Sequence, residues 1–177
     1  MNPLLPPFPG DDEGRWRTLS STYLFQRPWL TVRCQRMLLP TGREHPEYYI
    51  LEYPTWVNII ALTPDDRMLL VRQYRPALDI TRYELCAGVM DPSDASPLEA
   101  AQRELLEETG FGGGEWTKLM VVGPNPSAMN NVSISFLAHG VTKLCEPRLE
   151  ETEDISVHLF SRDEVYNMLK VGQFAQA

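Results

Sequence analysis

The chain has 177 residues and a formal net charge of −8, with an apolar share that suits one soluble domain around a sizeable core. The acidic balance argues against a long nucleic-acid duplex as the main partner, since such binding rests on many Lys and Arg contacts to phosphate, while leaving a small anionic ligand carried by metal compatible. No apolar run is long enough to cross a membrane, and Cys34, Cys86 and Cys145 form neither a disulfide framework nor a zinc spacing.

Residues 1–15 are rich in Pro and acidic side chains and are expected to form a flexible arm, to which no function is assigned. The start lacks the basic, apolar, small-residue order of a signal peptide, so reduced thiols and a cytoplasmic location are expected. From Trp16 the pattern turns to short β-rich runs: Thr22–Phe25, Leu30–Cys34, a turn at Pro40–Gly42, and Tyr48–Glu52. They predict a small antiparallel sheet, or else further strands of one larger sheet. Trp56–Leu62 and Met68–Tyr74, joined by the polar turn Thr63–Arg67, predict a core hairpin. Arg72 and Arg75 stand at the end of its second strand, where arginines can grip phosphate or ribose with fork geometry; a surface salt bridge is the ordinary alternative. Tyr83–Gly88 reads as one strand leading into a glycine-led loop.

That loop opens the stretch that carries chemistry, Gly88 to Phe111. Ser96 is placed as an N-cap, Pro97 as the first helical residue and Glu99 as the partner in a capping box, with Gly110 as the stop. At about 100° per residue, Leu98, Leu105 and Leu106 fall on one side of this helix and Glu104, Glu107 and Glu108 on the other. Like charges at this spacing cost about 0.2–0.5 kcal/mol per pair, so something positive must offset them. Arg103, four residues before Glu107, can hold that carboxylate. Glu104 and Glu108 then stack one turn apart, an arrangement suited to a hard divalent cation such as Mg²⁺, which binds one or two carboxylates together with substrate phosphates. The ordinary alternative is a solvated face; the glycine loop upstream and the leucines between the carboxylates favour the cation.

Beyond the helix, Trp116–Val122 and Val132–Ala138 predict strands, and the turn-rich loop Gly123–Asn131 between them is expected beside the site. A second acidic cluster, Glu150, Glu151, Glu153 and Asp154, precedes the predicted strand Ser156–Phe160. Such clusters are most often solvated charge. Ser161 and Glu164 form a capping box opening a last helix through Val165, Met168 and Leu169. His45, His139 and His158 have no ligand spacing and read as structural.

The stretch from Gly88 resembles the Nudix box, Gly, five residues, Glu, seven residues, Arg-Glu-aliphatic-any-Glu-Glu-any-Gly-aliphatic: Arg103 to Gly110 match its second half, with Phe111 at the aliphatic place. The first half departs, since Asp94 stands for Glu and eight residues instead of seven separate it from Arg103. Upstream, Cys86 replaces the usual Pro of Glu-Leu-Pro-Ala-Gly. The resemblance implies an α/β fold, a Nudix α/β/α sandwich with a mixed sheet, plus a small N-terminal antiparallel sheet. It divides the chain into the arm at 1–15, a sheet subdomain at 16–54 that builds a homodimer in similar enzymes, and a Nudix hydrolase domain at 55–177. The implied metal is Mg²⁺, with Mn²⁺ as a substitute, on the Ala87 carbonyl, Glu104, Glu108 and Glu153. Glu151 is the implied base, matching the first Glu of a Glu-any-Glu-Asp-Ile element, with Glu150 competing. Arg103 and Glu107 hold the helix face, while Arg75, Trp56 and Gly88 meet substrate. Pro126, near the place of a proline in ADP-ribose-type members, and the absence of the NADH and coenzyme A signatures point to ADP-ribose or a related nucleoside diphosphate sugar. A hydrolase of dinucleoside polyphosphates or nucleotide caps, and a non-catalytic nucleotide-sugar sensor, are the alternatives.

Overall fold

β-Branched and aromatic residues between Arg17 and Glu52 carry three antiparallel strands, β1 (Arg17–Arg27), β2 (Leu30–Leu38) and β3 (Glu44–Glu52), in the order β1-β2-β3. Each outruns the stretch read from the sequence, because cross-strand pairing extends them through residues such as Ser20, Arg36 and His45 that have little strand preference of their own. At the turn after β2, Gly42 takes a φ of 79°, and its N–H reaches the Leu39 carbonyl at 3.0 Å. In the computed structural model, which describes residues 3–174, the chain up to Thr55 and Val121–Ser133 form one unit, and Trp56–Met120 with the chain from Ile134 form another. Met1, Asn2 and residues 175–177, the extremes of the expected arm and of the expected hydrolase domain, lie outside the described residues.

In the first unit the chain before β1 is a string of exposed turns, with the Phe8 N–H donating to Asp11 Oδ2 at 2.7 Å. The Gly123–Asn131 loop, expected beside the site, takes its bonds from β3. Leu51 N–H donates to the Ala128 carbonyl at 2.8 Å, and the Tyr48 hydroxyl to the Ser127 carbonyl at 2.7 Å.

The second strand system contains β4 (Trp56–Leu62), β5 (Met68–Arg75), β6 (Ile80–Glu84), β7 (Cys86–Val89), β8 (Phe111–Gly112), β9 (Glu115–Val122), β10 (Ser133–His139), β11 (Thr142–Lys143) and β12 (Ser156–Phe160), with helices α1 (Pro97–Thr109) and α2 (Arg162–Lys170). β8 and β11 form a small ribbon; the rest make a seven-stranded mixed sheet ordered β12-β5-β4-β10-β9, with β6 on β5 and β7 on β4. The single strand read over Tyr83–Gly88 is in fact two. Tyr83 pairs with Arg72 on β5, whereas Cys86 pairs with Ile59 on β4, so the chain changes partner at Leu85.

The pleat decides which helix covers which face. Val57, Ile59, Ala61, Leu69 and Val71 are fully buried and share one face with Cys86 and Gly88. α1 packs on β7 and β4 there, and a side chain on Gly88 would run into Glu104. Leu70 points the other way, joining Val165 and Met168 of α2, Phe160 and Tyr83. Helices on both faces make the expected sandwich. Leu169, the other apolar residue named for this helix, is exposed.

Candidate active site

α1 is fixed at both ends. The Ser96 hydroxyl accepts from the Glu99 N–H at 3.2 Å, while the Glu99 carboxylate accepts from Ala95 at 2.6 Å, so the expected capping box closes one residue early. At the far end Gly110 takes a φ of 73° with the Cys145 carbonyl against its Cα. Only glycine fits, and its own carbonyl accepts from Leu144 at 2.8 Å and Cys145 at 3.1 Å. Arg148 N–H then bonds the Glu107 carbonyl at 2.8 Å, which leads the acidic loop off the end of α1.

The carboxylates do not face water as a group. Ala101, Leu105 and Glu108 occupy the buried stripe, Glu104 lies beside it with a side chain 13% exposed, and Leu98 and Leu106 sit at the rim. Only Glu107 is well exposed. Arg103 ties the group together: Nε and Nη2 meet the two oxygens of Asp94, each at 3.0 Å, and Nη1 meets Glu107 at 2.9 Å and Glu104 at 3.1 Å. Nη2 also donates to the Val89 carbonyl at 3.0 Å. Asp94, the departure from the box, is therefore a buried fork partner of Arg103, and those bonds hold its carboxyl below the usual range.

Glu104 and Glu108 are left with too little positive charge. Burial raises the Glu104 carboxyl, against the pull of Arg103. Burial pushes Glu108 up to about 7, against a hydrogen bond from the Cys86 thiol, and the Glu104 charge adds to the rise. Ala87 N–H reaches Glu108 at 3.4 Å. Cys86 is itself fully buried, and that burial, followed by the nearby Glu108, holds its thiol well above the ordinary value. It stays protonated and donates.

Next to this pair lies a cavity of about 340 Å³ lined by Trp56, Asn58, Arg75, Ala87, Gly88 and Val89, so the three substrate candidates and Ala87 come together. Arg75 also has a structural task. Its Nε and Nη2 grip the buried Glu84, with Nε–Oε1 at 2.9 Å, and that bond is the main cause of its raised pKa. Arg72 lies on the opposite face of β5 and cannot share a phosphate with it. Among the second acidic cluster, Glu153 is near enough to Glu108 to raise its pKa, yet its carboxylate accepts the Glu150 N–H at 2.9 Å. Glu151 sits in an exposed turn without hydrogen bond or ion pair among the described residues.

Five carboxylates thus face two guanidinium groups: Glu84 and Asp94 take a fork each, Glu104 shares Arg103 with Asp94 and Glu107, and the buried Glu108 has no cation on it. A divalent cation fits that deficit. Among the described residues no three His, Cys, Asp or Glu side chains form a cage; beside the two glutamates the site offers backbone carbonyl and room for water and substrate oxygens, the set Mg²⁺ favours, with Glu153 within electrostatic reach of Glu108.

The family described as NUDIX domain matches residues 52–176, covering this helix, the cavity and the acidic loop. The chain belongs to the NUDIX domain family. Residues 16–51 match the family described as nucleoside diphosphate sugar hydrolase N-terminal domain. This Nudix chain is 28% identical over 142 residues to the ADP-ribose pyrophosphatase of Bacillus subtilis (strain 168), covering 80% of this chain and 76% of that one. It is 25% identical over 155 residues to the methanol dehydrogenase activator of Bacillus methanolicus, covering 87% and 83%. Its fold matches a crystal structure of an ADP compounds hydrolase with a TM-score of 0.79 at 23% identity, over 92% of this chain and 86% of that one. Sequence reading missed Glu84 and the Cys86–Glu108 contact. An acidic residue among apolar neighbours in a strand signalled the first; nothing local signalled the second.

Proposed function

We propose that this Nudix protein hydrolyses the diphosphate linkage of ADP-ribose or a related nucleoside diphosphate sugar, releasing a nucleoside monophosphate and a sugar phosphate. The observation that carries the reading is the buried, undercompensated pair Glu104, against Gly88, and Glu108, against Cys86 and Ala87, at the edge of the cavity with Trp56 and Arg75. Glu104, Glu108, the Ala87 carbonyl and Glu153 would hold Mg²⁺, or Mn²⁺ in its place. The cation, when bound, neutralises diphosphate charge and acidifies water.

The chain's own residues supply the rest. Gly88 leaves room for Glu104, Arg103 and Glu107 keep the carboxylates in register, and Arg75 presents its partly exposed guanidinium to phosphate while anchored by Glu84. Trp56 offers a ring to the nucleoside. Glu151 deprotonates the attacking water, a role supported by its carboxylate being uncommitted where that of Glu153 is held by Glu150. The exposed Tyr23, Leu24, Phe25 and Trp29 of the N-terminal sheet support a homodimer. No helix among the described residues is long and apolar enough to cross a membrane; the cytoplasm as the place of action is part of the same proposal.

Incubating the pure protein with Mg²⁺ and a panel of ADP-ribose, nucleotide sugars, a dinucleoside polyphosphate and a capped dinucleotide in ¹⁸O water tests this. Metal-dependent release of a nucleoside monophosphate from ADP-ribose or a nucleotide sugar is expected. Binding without turnover of any compound would replace the enzyme by a sensor.

A further inference from the structure

A second cavity opens at the β6 edge of the sheet, where Arg72, Thr81 and Tyr83 present the α2 face and Arg82, across from Gln73, leaves from the α1 face. It measures about 310 Å³ and is lined by Arg72, Thr81, Arg82, Tyr83 and Gln173. Arg72 stands directly across from Tyr83, its guanidinium carbon 5.8 Å from the ring centroid. The ring is held edge-on by His158 at 5.3 Å and Phe160 at 5.2 Å. Arg82 folds back along the strand, with Nη1 on the Thr81 carbonyl at 3.1 Å. Tyr83 N–H donates to the Gln173 carbonyl at 3.2 Å, closing the edge of β6.

The electrostatics of this cavity are the reverse of those around α1. Arg33, Arg36, Arg75 and Arg103 each pair with a carboxylate, but Arg72 and Arg82 pair with none among the described residues. In a chain of net charge −8, Arg72 and Arg82 border one cavity from opposite faces of the β5–β6 pair, and no acidic side chain lines it. Guanidinium forks match phosphate oxygens, so Arg72, with Arg82 at the strand edge, suits a phosphate dianion. The volume lies at the lower end of small-molecule pockets, about 300–1,000 Å³, enough for one phosphate and one ring. The Thr81 hydroxyl and the Gln173 amide offer partners for sugar hydroxyls. We propose that this cavity is a second binding site, separate from the Trp56–Arg75 cavity, that takes a phosphate monoester of a sugar or nucleoside. It stands on its own geometry and does not depend on the hydrolytic reading.

Calorimetric titration of the full chain in EDTA with AMP, ribose 5-phosphate, inorganic phosphate and adenosine tests the site. Wild type should bind at least one phosphate monoester and ignore adenosine, and Arg75→Ala, which alters the first cavity, should retain binding at this one. The double variant Arg72→Ala/Arg82→Ala, with its fold checked by circular dichroism, should bind it at least about tenfold more weakly. Preference for AMP or for ribose 5-phosphate names the nucleoside or the sugar as the second element recognised, and inorganic phosphate binding equally well would remove the ester from the proposal and overturn it. Amide shifts in the wild-type NMR spectrum should centre on Tyr83 and Gln173. Unchanged affinity in the double variant, shifts confined to Ala87–Val89, or no binding of any compound at about millimolar concentration would each overturn the site.

Discussion

Replacing Glu108 by Gln should stabilise the metal-free protein while abolishing its turnover. In the folded chain the Glu108 carboxyl is raised from an ordinary 4.5 to about 7, first by burial. Between those values the folded state keeps a proton that the unfolded chain has released, so stability falls as pH rises through this window and the full cost persists above it. The rise corresponds to about 3 kcal/mol at alkaline pH. Gln preserves the shape and can still accept the Ala87 N–H through its amide oxygen, with no charge to bury. The variant should match wild type near pH 4.5 and exceed it by about 3 kcal/mol near pH 8, or about 6–12 °C in Tm for a chain of this size. Thermal melts of both proteins in EDTA across that range provide the measurement. Saturating Mg²⁺ should then restore wild type by about 2–3 kcal/mol at about a hundred times its Kd and leave the variant nearly unmoved. Parallel pH profiles in EDTA, or equal Mg²⁺ shifts, would refute the argument that Glu108 is a buried charge awaiting a cation.

Gly88→Ala places a methyl group on the Glu104 carboxylate and should lower turnover on the order of 100-fold with little loss of secondary structure, read by steady-state kinetics and circular dichroism. Arg103→Lys should cost about 2 kcal/mol in denaturant unfolding, since one ammonium cannot replace the fork on the buried Asp94 and also reach Glu107. Glu151→Gln should cut kcat by about 10²–10⁴ with a small change in KM. An unaffected rate there, with a loss in Glu150→Gln, would move the base to Glu150.

What the sequence made legible was local. The bounds of α1 could be read because Ser96, Pro97 and Gly110 act within a turn of themselves, and β4 was read to the residue because its alternation is its own. Features set by distant partners were not legible. The break at Leu85 arises because β5 and β4 diverge and each claims half of the segment. The opposite placement of Arg72 and Arg75 follows from pleat parity, which spacing along the chain implies but which acquires meaning only once the faces are known. Helical angles set Leu105 opposite Glu104, Glu107 and Glu108, whereas Leu105 and Glu108 share the buried stripe, because a helix wheel cannot show that β7 brings a glycine against Glu104 and a cysteine against Glu108.

The departure in the first half of the box shows why the site survives it. Asp is one methylene shorter than Glu, and the loop ahead of the helix is one residue longer; each change alone would misplace a carboxylate relative to Arg103. The added length is taken up in a turn bonded to itself: Asp94 N–H meets the Asp91 carbonyl at 3.0 Å, Asp91 N–H meets Asp94 Oδ2 at 2.7 Å, and Asp91 Oδ1 accepts from the Ser93 N–H at 2.8 Å. Asp94 therefore arrives buried and in fork geometry. Arg103 has five N–H groups, and Asp94, Val89, Glu104 and Glu107 occupy all of them. It has nothing left for Glu108. The geometry that compensates the loop change also fixes where positive charge is missing, at the buried Glu108 beside Glu104, at the wall of the cavity that holds Arg75 and Trp56.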